Sequence, residues 1–201
     1  MDHPPFSKHQ YSTIFAGLCQ NNLPLHTLVS GGIIMPQILQ YDRDAAVTYA
    51  HTWAYRRNPD YFDYSGIGGD CTNFASQCIY AGAGVMNFTP LYGWFYRSAN
   101  DRTPSWTGVQ YLYDFLTRNM GNGPFASEVS LSSLEPGDVV QLSIDREDRY
   151  QHTPVVVRVD APTLSGILVA AHSNDVDFRP LSTYQIRRLR CLHIEGVRTN
   201  T

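Results

Sequence analysis

Between residues 42 and 119 the apolar positions recur at helical spacing, and beyond residue 138 they gather into short β-branched runs. Ala45, Ala46, Tyr49, Ala50 and Trp53 follow Asp42, a suitable N-cap, and predict a helix that ends near Asn58-Pro59. Cys71, Phe74, Ala75, Cys78 and Ile79 stand at i, i+3, i+4, i+7 and i+8, so a second helix opening at Asp70 or Cys71 buries them on one face. A third helix is predicted from Thr107 to Asn119, with Val109, Leu112, Tyr113 and Leu116 inward and GNGP as its stop. YFDYSGIGGD and LYGWFY read as loops rich in glycine and aromatic residues.

The later segment alternates turns and strands. EPGD is a turn leading into VVQLS, and IDREDRYQ is a polar hairpin or loop. HTPVVVRVD and GILVAAHSND are two strands joined by APTLSG, and IRRLRCLHIEGV is the last strand. Helices first and a mainly antiparallel sheet second define an α+β fold. Residues 1–40 form a separate arm or appendage. They hold a short helix near Tyr11–Cys19 and then a stretch broken by Pro and Gly, with no assignable role. Residues 41–201 form the domain.

Composition narrows the function. The chain has 201 residues, 43% hydrophobic and 16% charged, which suits one globular domain. A net charge of −3 offers no basic footprint for nucleic acid. No apolar run approaches the roughly 18 residues of a membrane span. MDHPPFSKHQ lacks the charged and apolar regions of a signal peptide, so an envelope role would need a leader removed beforehand or another export route. The four cysteines, Cys19, Cys71, Cys78 and Cys191, are spaced irregularly and include no CxxC. Cys71 and Cys78 lie too far apart along a helix to bond.

GGDCTNFASQ is the segment richest in chemistry. Two glycines allow a sharp turn and close approach of a substrate. Asp70 caps the helix, and Cys71 in the first turn sits where the dipole and unpaired amides favour a thiolate with a lowered pKa. The same amides, with the Asp70 region beside them, can donate to a developing oxyanion. The alternative is that Cys71 is a small core residue, the role assigned to Cys19, Cys78 and Cys191.

A thiol nucleophile needs a base, and the base an orienting partner. Of seven histidines, His3, His9 and His26 fall in the irregular N-terminal part, His51 lies mid-helix and His193 has no polar company in the last strand. His152 opens a strand after a polar loop. His172 closes the partner strand, with Asn174 two residues on, so alternation puts both on one face, near His152. Tyr64, Tyr92, Trp94 and Trp106 come from loops flanking the helices and could wall a substrate groove, with core packing an equal alternative for Trp106.

GGDCTNFASQCIYAG, Ser105-Trp106, EPGD, the strand-opening His152 and AHSND together resemble an amidase-domain family of the papain-like clan, beside the NlpC-type and CHAP cell-wall hydrolases. The resemblance runs over residues 41 to 190 and rests chiefly on GGDCTNF. It implies a papain-like core, no cofactor and a cysteine amidase or peptidase that acts on peptide or peptidoglycan-like substrates. Cys71 is then the nucleophile and His152 the base, with His172 and Asn174 competing for the third position. Three rival readings stand beside it. One is a zinc site of Cys71, His152 and His172, disfavoured by the lack of close-spaced ligand pairs. Another is a catalytically silent binding module. The third is a protein-modifying cysteine enzyme: a deamidase, a protease or a transglutaminase-like effector.

Overall fold

The computed structural model describes residues 37–200. The short helix read near Tyr11–Cys19 lies outside them. The first described helix, α1 (Arg43–Trp53), starts as expected: Asp42 accepts from the Ala45 amide at 2.9 Å. It stops at Trp53, ahead of Asn58-Pro59, and the Trp53 carbonyl is taken by His172 Nε2 at 2.8 Å. Helix α2 (Cys71–Ala83) is buried along almost its whole length, and Gly84, in the left-handed region, terminates it. The expected third helix is two pieces, α3 (Pro104–Thr107) and α4 (Val109–Arg118), divided at Gly108, whose backbone is extended. In α4 the fully inward residues are Leu112, Phe115 and Leu116; Tyr113 is half-buried, packs against that core and lies under the Arg190 guanidinium.

The main sheet is seven-stranded and antiparallel. It contains β1 (Gln37–Leu39), β4 (Gly123–Val129), β5 (Val139–Ser143), β6 (Val155–Val159), β7 (Ile167–Ala171), β8 (Val176–Pro180) and β9 (Arg188–Thr199). Its order is β1-β9-β5-β6-β7-β8, with β4 on the other edge of β9. The LYGWFY loop leads into a separate hairpin, β2 (Tyr96–Ser98) with β3 (Asp101–Arg102). The architecture is α+β with a mainly antiparallel sheet.

Both faces of the central strands are covered, which explains runs such as VVVRV in place of strict alternation. Val139, Val155, Val157, Leu168 and Ala170 pack with Phe74, Ile79, Trp94, Trp106 and Leu112 on the helical side. Val140, Leu142, Val156, Ile167 and Val169 pack with Leu134, Leu181 and Cys191 on the other.

The EPGD turn ties these layers together. Asp138 is fully buried, and its carboxylate accepts from Arg43 Nη1 at 2.7 Å, His193 Nδ1 at 2.9 Å and the amides of Glu135 and Ile194. His193 therefore has polar company that its strand position did not reveal. One turn thus joins α1, β5 and β9.

Candidate active site

The sequence places Cys71 at the first position of α2, where it is 7% exposed. Its sulfur packs against the backbone of the segment carrying His152, 3.8 Å from the Gln151 carbonyl oxygen. Next to it, the Thr72 and Thr153 hydroxyls meet at 3.1 Å, a buried tie between α2 and that segment. His152 itself does not open the regular strand. Pro154 has no N–H to give a ladder, so β6 begins at Val155, and His152 is joined to Leu142 by an isolated bridge.

Asp70 occupies the N-cap position but does not cap α2. Its fully buried carboxylate accepts from the Tyr64 amide at 3.0 Å, Asn73 Nδ2 at 2.8 Å and His172 Nδ1 at 2.6 Å. Arg57 Nε approaches it at 3.5 Å. Among the described residues no side chain caps the helix, so the first-turn amides beside Cys71 are not consumed in that way.

His172 departs from the expected arrangement. Strand β7 ends at Ala171, and Ser173 takes a positive φ of 79°, so alternation does not continue to Asn174. His172 turns inward, stacks on Phe74 with ring centroids 4.0 Å apart, and spends both nitrogens on Asp70 and the Trp53 carbonyl. A carbonyl only accepts, so Nε2 carries hydrogen, and the bond to Asp70 is made through Nδ1. Neither nitrogen is left for His152. Asn174 instead remains exposed and lines the same cavity as His152.

That cavity, about 540 Å³, is lined by His152, Asn174, Ser173, Arg179, Tyr184 and Gln151 among others. A second, of about 510 Å³, is lined by Tyr64, Gly68, Gly69 and Arg102. Ser173 of the first and Gly69 of the second adjoin at the turn before Cys71. There the Ser173 hydroxyl accepts from the Asp70 amide at 3.0 Å, and a Cβ on Gly69 would sit 3.2 Å from the same oxygen.

The electrostatics reverse one expectation. Burial pushes the Cys71 thiol above its ordinary pKa, outweighing the hydrogen bonds that favour the thiolate. Burial, with the Arg179 charge nearby, lowers His152 from 6.5 to about 4. The Cys71 thiol and the His152 imidazole are therefore both neutral at pH 7. Among the described residues the His152 ring has no hydrogen-bond partner, and it packs against Tyr184 with centroids 5.6 Å apart.

Of the four aromatic residues proposed as groove walls, Trp94 and Trp106 are fully buried, each anchored through its indole N–H, to Ser76 and Asn73. They belong to the core, because indoles of that size fill the space between α2 and α4 and find polar partners there. Tyr92 is 85% exposed and lines a cavity elsewhere, with Tyr111 and Met120. Tyr64 borders the Gly69 cavity. Sequence reading missed Ser173, Arg179 and Tyr184, which reach the site through the β7–β8 return and carry no local motif. Among the described residues no group of three or more His, Cys, Asp or Glu side chains could hold a metal ion, so Cys71, His152 and His172 do not form the zinc set.

Cys71 thus heads a buried helix on an α+β scaffold and packs against the segment that carries the cavity-lining His152. Residues 40–194 match the family model described as "Putative amidase domain", and the chain belongs to that family. Over 142 residues it is 33% identical to "Uncharacterized protein YhbB" of Bacillus subtilis (strain 168). That match covers 70% of this chain and 44% of that protein, so the chain spans less than half of the relative's length. No solved structure matches the chain significantly. Family membership points to hydrolysis of amide bonds. Among the described residues no helix is long and apolar enough to cross a membrane.

Proposed function

We propose that this chain is a papain-like cysteine amide hydrolase, related to the NlpC-type and CHAP enzymes, that cleaves peptide or amide bonds of bacterial cell-wall peptidoglycan. The observation that carries the reading is the packing of the Cys71 sulfur, at the start of α2, against the Gln151–Thr153 segment that bears His152.

With both groups neutral at rest, His152 acts as general base. It takes the Cys71 proton as sulfur attacks the amide carbonyl, and the tetrahedral oxyanion sits on uncapped first-turn amides of α2. His152 then protonates the departing amine, and water, activated by the same imidazole, releases the acyl group from the thioester. Asn174 is the orienting residue, because His172 is held by Asp70 and Trp53. The Cys71–His152 hydrogen bond forms as the substrate arrives, since such contacts often tighten only in the bound state.

Incubation with purified peptidoglycan fragments, followed by mass spectrometry of the products, tests this reading. Cleavage should be lost in Cys71→Ala and reduced about a hundredfold or more in His152→Ala, with both variants folded. Undiminished cleavage by Cys71→Ala would refute the assignment. Cys71-dependent cleavage of protein substrates alone would move the activity to a protein-modifying enzyme.

A further inference from the structure

The cavity lined by His152 contains one guanidinium, that of Arg179, and the way it is held points to its ligand. Arg57, Arg158 and Arg187 each reach a carboxylate. Arg179 does not, among the described residues. Its Nε donates to the Thr183 hydroxyl at 2.8 Å and its Nη2 to the Thr183 carbonyl at 3.1 Å, which fixes the group and leaves Nη1 without a protein partner. The guanidinium lies over the Tyr184 ring, 3.8 Å from the centroid. The Tyr184 hydroxyl lies beside the same guanidinium and is shielded from water. The acidic side chain lining this cavity, Asp145, accepts from Gln151 and does not pair with Arg179.

An arginine that is fixed in place, lines a cavity and reaches no carboxylate is set to receive an anion there. The guanidinium offers planar donors suited to a carboxylate, and its stacking on Tyr184 keeps it in place. We infer that this cavity binds a carboxylate of the amide substrate on Arg179, so that the enzyme selects acidic substrates. The inference rests on reading this cavity as the substrate site and adds a substrate class to it. The carboxylate can belong to an acidic side chain or to a chain terminus, two sources with the same chemistry.

Three probes separate these sources on the full chain. N-acetylglutamate α-amide carries only the side-chain carboxylate, N-acetylglutamine only the terminal one, and N-acetylglutamine amide neither. NMR titration should show saturable shifts of the Arg179 Nε–H and Tyr184 amide signals with one or both charged probes. The neutral probe should bind about tenfold or more weakly. Arg179→Gln should abolish the preference, and Arg179→Lys should retain part of it. If Arg179→Gln fails to fold, the charged-against-neutral comparison in the unmodified chain decides. Equal binding of the neutral probe, no saturable shift with either carboxylate, or a preference unchanged by Arg179→Gln would each overturn the inference. Binding is read here without turnover. Failure would leave Cys71-dependent hydrolysis standing, and loss of hydrolysis would leave this result standing.

Discussion

Asp70 and Cys71 are adjacent, yet the chain uses them in opposite ways. Asp70 turns inward to hold His172, Asn73 and the Tyr64 amide, while Cys71 presents its sulfur to the Gln151–Thr153 segment. The pairing with His172 is a support for the site, since it fixes the turn from which α2 springs. Replacing His172 with Ala should therefore act first on stability. It removes a donor from a buried carboxylate, frees the Trp53 carbonyl and leaves a void beside Phe74. The expected loss is about 3 kcal/mol or more. Chemical denaturation would measure it, and a variant as stable as the parent would show that the pair carries no structural weight.

At the scale of elements, the sequence revealed most where one period persisted. The Asp42 cap, the helix from Cys71, and the strands VVQLS, VVVRV and ILVAA all appear where the apolar spacing put them. It revealed least where a strand is defined by its partner. GPFASEV has little strand character of its own and becomes β4 because it pairs along β9 from Arg198 to Cys191. The same limit governs the site. Cys71 and His152 stood out because each follows a local signal, a glycine-rich helix start or a polar loop before a strand. Arg179 and Tyr184 gave no such signal; they arrive by the return of β8 and the turn after it. His172 misled because alternation does not run on to Asn174, three residues past the end of β7, once Ser173 takes a positive φ.

For the molecule as a whole, the charge state of His152 couples the site to folding. The folded value near 4 lies below the ordinary 6.5, so between these pH values the unfolded chain binds more protons. Its contribution to stability is present above about pH 6.5 and is lost as pH falls towards 4. The melting temperature should drop over that interval, and His152→Asn should flatten this part of the profile. A profile identical in parent and variant would contradict the placement of a neutral His152 at the site.

The central claim is that Cys71 is a nucleophile served by His152. Its most direct test is the pH dependence of Cys71 alkylation by iodoacetamide, mapped by mass spectrometry in the parent and in His152→Ala. Because burial raises the Cys71 thiol and leaves His152 neutral, the parent should react at pH 7 with the imidazole's help. His152→Ala should slow that reaction about tenfold or more. The two proteins should converge at alkaline pH, where thiolate forms without assistance. Alkylation of Cys71 no faster than that of Cys78 or Cys191, or a rate at pH 7 indifferent to His152, would contradict it.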